Sequence, residues 1–223
     1  MGKLKSIVVP TSSNQVFYLL HFIMRRKEGL MENRKRAVER LISGYRRYYN
    51  ITRFDGGMPE ENKGLAEAAR LETPHFTGDA QLSAVCEYYE QLEKYFFFHS
   101  AKLWATAQEE FLFIFNVPRL TLPLFEELRD YALNTGMELA HIGPGHMYTY
   151  ISPIFVCGSM DEDARKALKK CKYYKTFRFS FHGWMEYHAG ALDLSTGRFD
   201  FNSAGKCMEK GLKKVFENYE LLA

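Results

Sequence analysis

The stretch Lys172–Phe201, KYYKTFRFSFHGWMEYHAGALDLSTGRFDF, constrains the fold more than any other part of the chain. It runs from a basic approach through alternating aromatics and breaks at His182-Gly183-Trp184. It then resumes as a second extended run and turns at Ser195-Thr196-Gly197. Period-two alternation broken by glycine and small polar residues is the pattern of β-hairpins. Strands are expected over 173–182, 185–194 and 198–201, with a polar bend at 182–184 where a ligand site is most readily built.

The segments before it supply the rest of an α+β plan. Val38, Leu41, Ile42, Tyr45, Tyr48 and Tyr49 recur at helical spacing over Glu32–Tyr49, with arginines on the other face. Asn50–Gly78, rich in glycine and proline, reads as a long loop with a turn of helix near Leu65–Arg70. From Leu82 the period becomes two, and the runs starting at Leu82, Tyr95 and Phe111 read as an antiparallel meander. Thr121 and Pro123 open a helix expected to stop near Gly136, and Met147–Val156 follows as a strand. Ser159 or Asp161 caps a short helix to about Cys171, with acids in its first turn and lysines in its last. A closing helix begins near Ser203. The expected fold is α+β, with a largely antiparallel sheet of six or seven strands and three to four flanking helices.

Length and composition narrow the class. The 223 residues, 46% hydrophobic and 15% aromatic, suffice for one core and exclude a disordered chain. Residues 31–223 are expected to form a single α+β domain. Val16–Met24 is a nine-residue apolar run, too short for a membrane span, which needs about 20 residues. Met31 opens MENRKRAVERL, which reads like a fresh N-terminus, so residues 1–30 are expected to be a weakly ordered extension or a mis-annotated start. A net charge of +3 is too balanced to imply a nucleic-acid binder by itself. Cys86, Cys157, Cys171 and Cys207 form no CxxC pair, and nothing resembling an export signal precedes them. Reduced thiols in a cytoplasmic protein are therefore expected.

No motif fixes a chemistry. His141 and His146 flank Gly143-Pro144-Gly145, and His182 and His188 flank the Gly-Trp bend, but no HExxH or HxH spacing occurs. These histidines, with Glu186, would make a ligand set only if the two loops met; otherwise they satisfy turns and buried polar groups. No metal and no cofactor is expected. Asn202-Ser203-Ala204-Gly205-Lys206 resembles the back half of a phosphate loop. Asp200 and Cys207 stand where that motif needs glycine and a hydroxyl, so a helix cap or a simple anion site is expected instead. Arg165–Arg178 carries seven basic residues and no acid, with tyrosines and Phe177 interleaved, which suits single-stranded nucleic acid. Glu87 and Lys102 sit on strand-like segments as a weak carboxylate–lysine pair. No nucleophile elbow and no cysteine beside a histidine is found, so no catalytic residue is assigned.

At AKLWATAQEEFLFIF (101–115), HMYTYI (146–151) and KCKYYKTFRFSFHGWMEYHAGALDLSTGRFDFNSAGK (170–206) the chain resembles a family of uncharacterised bacterial proteins, mostly clostridial, known only as a domain of unknown function. The similarity spans roughly residues 31–217, and the third block is the most specific. The resemblance implies a bacterial cytoplasmic origin and supplies no activity, cofactor or catalytic residue.

The resulting expectation is a binding or interaction module for an unknown ligand or protein partner. Its ligand-site candidates are His141, His146, His182, Trp184, Glu186, His188, Ser203 and Lys206. The alternative is a nucleic-acid-associated protein using Lys169, Lys170, Lys172, Lys175 and Arg178; a metal-dependent hydrolase or nuclease ranks third. Exposed aromatic strands also suit a homodimer.

Overall fold

The computed structural model describes residue 29 and residues 31–56, 67–95 and 102–217. The remainder of the expected N-terminal extension, and the loop from Gly57 to Gly64, lie outside the described residues. Helix α1 covers 31–45. There follow β1 (Asn50–Arg53), β2 (Gln81–Tyr95), β3 (Lys102–Leu120), α2 (Leu122–Leu139), β4 (His146–Met160) and α3 (Glu162–Lys170). The chain continues through β5 (Tyr174–Thr176), β6 (Trp184–Tyr187), β7 (Gly190–Asp193), β8 (Arg198–Phe201) and α4 (Glu209–Val215). Short 3-10 turns occupy Glu67–Arg70, Thr77–Asp79 and Gly205–Met208.

All strands join one sheet of eight in the order β1-β2-β3-β4-β6-β5, with β7 continuing along β4 and β8 outside it. This corrects the expected sheet in two respects: there are eight strands, and the sheet is mixed. β1-β2, β2-β3, β5-β6 and β7-β8 are antiparallel, but β4 runs parallel to β3, β6 and β7. The reason is α2. Its 18 residues carry the chain back along the sheet, so the next strand enters in the direction of β3. Alternation in a sequence shows that strands exist, not which way the connecting helix returns them.

Three further boundaries differ. The three-run meander is two long strands, β2 and β3, paired over most of their length. The loop after α1 contributes an edge strand, β1. Helix α2 passes Gly136 and ends at Leu139, because Gly136 lies where a Cβ would meet Ile151 at 2.8 Å; it is a packing glycine, not a stop. Thr121 does cap α2, its hydroxyl accepting from Leu124 N, and Asp161 occupies the N-cap of α3 with its carboxylate turned to Arg119.

The sheet separates two apolar layers. Leu124, Phe125, Leu128 and Ala132 of α2 and Ala164 and Leu168 of α3 bury against Phe111, Phe113, Phe115, Ile151 and Phe155. Ala37, Val38, Leu41 and Ile42 of α1 and Leu212 of α4 bury against Leu112, Ile114, Ile154, Val156 and Leu192 on the opposite face. Each fully buried Leu, Ile or Phe contributes about 1.5–3 kcal/mol. Arg165 is buried beneath α3, paired with Asp193 at 2.6 Å and with Asp200, and this fastens the β7-β8 hairpin to the helix. Among the described residues no helix is long and apolar enough to cross a membrane.

Candidate functional site

The bend at His182-Gly183-Trp184 is explained by backbone contact. Gly183 has φ +70°, and a Cβ there would lie 2.1 Å from the Met147 carbonyl oxygen. The chain folds this tightly because β6 must pack directly against the start of β4. His146 Nδ1 donates to the His182 carbonyl at 2.7 Å, and its Nε2 meets the Thr149 hydroxyl at 2.7 Å. Glu109, 1% exposed, accepts from Thr149 Oγ1 and His141 N at 2.9 Å each and contacts His141 Nδ1 at 3.0 Å. The Gly143–Gly145 loop, the end of α2 and the 182–184 bend are thereby tied to one buried carboxylate.

A second knot forms where the β6-β7 run is interrupted. Ile151 faces Tyr187 and Ile154 faces Gly190, so the register holds across His188 and Ala189. There the wholly buried Asn202 completes the ladder. Its Oδ1 accepts from Ala189 N at 3.0 Å and Gly205 N at 2.7 Å, and its Nδ2 donates to Cys171 O and Tyr187 O at 3.0 and 2.9 Å. The N-cap of the Gly205–Met208 turn is Ala204, which makes no side-chain cap bond, and Asn202 instead ties the turn to the strand through Gly205 N. Gly205 packs so closely that a Cβ would lie 2.5 Å from Ala189 O.

The α1/α4 side of the sheet holds a cleft of about 330 Å³ lined by Tyr48, Tyr49, Tyr88, Tyr148, Tyr150, Glu109 and Glu110. Tyr48 and Tyr49 come from the turn that follows α1, and the other side chains from β2, β3 and β4. Glu110 accepts from Tyr49 Oη at 2.7 Å and Ser152 Oγ at 2.5 Å. Tyr148 and Tyr150 stack at 4.5 Å, Tyr148 leans on Trp184 at 5.6 Å, and Tyr49 and Tyr88 meet at 5.6 Å. Burial and the Glu110 carboxylate push the Tyr45 and Tyr49 phenols well above their ordinary range, so both rings stay neutral. At the rim Tyr48 carries the Arg47 guanidinium 5.5 Å from its ring centre.

One end of this cleft holds a second group of side chains. The His188 ring lies 4.3 Å from that of Tyr150. Its Nε2 is 3.3 Å from Glu186 Oε2 and its Nδ1 is 3.6 Å from Cys207 Sγ. Cys86, Cys157 and Cys171 are buried, whereas Cys207 is exposed. Burial, then Glu110, raise its thiol above the usual cysteine range.

The expected ligand residues therefore divide. His141 and His146 converge on Glu109 on the α2/α3 side, and His182 joins them only through its carbonyl. Trp184, Glu186 and His188 face the other side, beside the tyrosine cleft. Ser203 and Lys206 are exposed, and Lys206 borders a shallow groove with the lysines of α4. Among the described residues no group of three or more His, Cys, Asp or Glu side chains is arranged to hold a metal ion. Glu87 and Lys102 do not meet: Glu87 faces Phe111 and Lys102 faces Tyr95, nine positions along β3, or about 30 Å.

The basic run also divides. Arg165 is buried with its two aspartates, and Lys169 pairs with Asp200 at 2.8 Å. Lys170, Lys172, Lys175 and Arg178 are exposed, with Lys175 Nζ 5.7 Å from the Phe177 ring centre. Tyr173 and Phe177 pack on the core, while Phe179 and Phe181 stand 95% and 83% exposed.

Sequence reasoning missed Tyr49, Tyr88, Glu110, Tyr150, Ser152 and Cys207. One signal was available. Gln108-Glu109-Glu110 precedes Phe111–Phe115 in one strand, and Tyr148, Tyr150 and Ser152 alternate ahead of Ile154 and Val156 in another. A strand that changes from polar to aliphatic on one face marks where its covering helix ends.

Fold and site together define an α+β protein with helices on both faces of a mixed sheet and an aromatic, acidic cleft on one of them. The chain matches, over residues 65–214, the family described as Domain of unknown function (DUF8052), and belongs to it. No curated protein and no solved structure matches the chain.

Proposed function

We propose that the protein is a binding protein whose tyrosine-lined cleft takes a small organic cation. The observation that carries this is the pairing of five tyrosine rings with the Glu110 carboxylate in one cleft. Neutral phenol rings present negative π-faces, and such faces attract ammonium groups by about 0.5–2 kcal/mol each, more when water is excluded. The volume suits a small ligand. Both Glu110 oxygens accept hydroxyl hydrogens, so the carboxylate faces the cleft without competing for donors. Titration calorimetry with choline and tetramethylammonium tests the reading. Saturable binding that weakens about tenfold in Glu110→Gln is the expected result. Absence of saturable heat with either cation overturns it.

A second reading rests on a different observation. The β5-β6 tip places Phe179, Phe181 and Tyr174 in solvent beside Lys172, Lys175 and Arg178. Exposed rings with flanking cations suit stacking and phosphate contact on single-stranded nucleic acid. Salt-dependent retention of oligo-dT that disappears in the Lys172→Glu, Lys175→Glu, Arg178→Glu protein is its expected signature. Retention unchanged by those substitutions counts against it.

A further inference from the structure

We infer that Cys207, His188 and Glu186 form a thiol nucleophile, its general base and the residue that positions that base, acting on an acyl ester or thioester. The inference shares Tyr150 and the Glu110 neighbourhood with the cation-binding reading but does not need cation binding, so the two fail separately.

The imidazole touches the sulfur with one nitrogen and the carboxylate with the other. Glu186 Oε2 stands 3.3 Å from Nε2, which fixes Nε2 as the protonated nitrogen and leaves Nδ1 as the acceptor facing the thiol at 3.6 Å. His188 is 5% exposed and its ring lies 4.3 Å from that of Tyr150, so the imidazole is held in place. Asn202 sets the other partner, because its bonds to Ala189 N and Gly205 N fix the spacing between the histidine segment and the turn that carries Cys207. The neighbouring backbone N–H groups of Cys207 and Met208 act in the opposite sense to burial and favour the thiolate. The thiol is exposed, unlike Cys86, Cys157 and Cys171. Around the thiol stand Tyr45 of α1, Glu110 of β3, Tyr150 of β4 and Glu186 of β6. This acidic setting keeps the thiol protonated at rest, so nucleophilic attack requires a base in contact with it.

The step balances within these groups. Sγ attacks the carbonyl carbon as its proton passes to His188 Nδ1, and the carbonyl π pair moves to oxygen. Collapse of the tetrahedral species re-forms the carbonyl and expels the alcohol or thiol, which takes the proton from Nδ1. A thioester on Cys207 remains. Water, deprotonated by the same Nδ1, then releases the acid and restores the thiol.

The test uses the whole protein with p-nitrophenyl acetate. A burst of p-nitrophenolate is expected, with acetyl mass located on the Cys207 peptide. Cys207→Ser is expected to abolish the burst. His188→Gln is expected to slow acylation about 100-fold or more, within the range of general-base catalysis. Cys207 in that variant should remain open to a small mercurial, which shows that the thiol is still presented. Glu186→Gln is expected to slow acylation less and to displace its pH–rate profile toward lower pH, which a merely structural carboxylate leaves in place. Acetylation of Cys207 no faster than that of N-acetylcysteine overturns the inference, as does wild-type acylation in His188→Gln.

Discussion

Glu109 and Glu110 are neighbours in β3, and although both border the cleft their carboxylates point to opposite faces of the sheet. Glu109 is 1% exposed and engaged by Thr149, His141 and His146. Glu110 has only hydroxyl donors, Tyr49 and Ser152, and opens onto the tyrosine cleft. The difference comes from the helices. On one side α2 has 18 residues, about 27 Å, and its end delivers His141 to the carboxylate. On the other, α1 stops at 45 and α4 has only seven residues, about 10 Å, so among the described residues no helix covers the far end of the sheet. One face spends its carboxylate on closure; the other leaves it available to a ligand.

The largest expected effect is at Glu109. Glu109→Ala strands a buried hydroxyl and two imidazoles, and is expected to cost about 3–5 kcal/mol in urea unfolding. Glu110→Gln keeps an acceptor for one hydroxyl, while the other hydroxyl can turn to accept from the new NH2, and is expected to cost about 1 kcal/mol or less. Equal losses for the two would remove the distinction between a closing carboxylate and an open one.

Asn202 joins the faces. It bonds Cys171, beside the α2/α3 layer, and Gly205, at the turn leading to α4. Asn202→Ala leaves four buried backbone groups without their partner and is expected to cost about 3 kcal/mol. It should also slow any Cys207 acylation, because the spacing to His188 is lost. Loss of stability with the thiol chemistry intact would show that the cleft does not depend on this tie.

Much of this was legible in the sequence, and the gaps have physical causes. Local signals held: the Thr121 cap, the acid-to-base gradient of α3, the Ser195–Gly197 turn and the strand at 198–201 follow from chemistry within a few residues. Strand direction did not, because it depends on the length and return path of α2. The bend at Gly183 was recognised as unusual but read as a ligand site, whereas its cause is contact with Met147, some 36 positions away. The cleft was missed because its tyrosines come from three separate segments, and the Cys207–His188 contact because the two residues are 19 apart with no shared motif. Histidines seen as one group fell on two faces because His141 and His182 lie in loops, and a register shift between His146 and Tyr148 at the start of β4 sets His146 apart from the cleft side.

Alkali separates the faces more gently. Burial raises the Cys171 thiol, on the α2/α3 side, to about 11. A folded value above the unfolded value of about 9 gives stability that is complete below pH 9 and lost as pH rises through 11. The urea midpoint is therefore expected to fall between pH 9 and 11, and Cys171→Ala to flatten part of that fall. Tyr45 and Tyr49, raised on the other side, contribute with the same sign. An unchanged slope in Cys171→Ala would place the alkaline loss on the cleft side instead.

The smallest effect on stability is expected at the β5-β6 tip, which belongs to neither face. Phe179 and Phe181 contribute little to the core at 95% and 83% exposure, so Phe179→Ala with Phe181→Ala should change the unfolding free energy by less than about 0.5 kcal/mol. The backbone beneath them is less ordinary: Arg178, Phe179 and Ser180 have φ of 45°, 52° and 71°. Left-handed non-glycine residues cost about 1–2 kcal/mol each, so Ser180→Gly should stabilise the protein, in contrast to the phenylalanine pair. Oligo-dT retention tests the contact proposed for this tip: retention lost in the phenylalanine pair and kept in Ser180→Gly would assign the binding to the rings rather than to the turn.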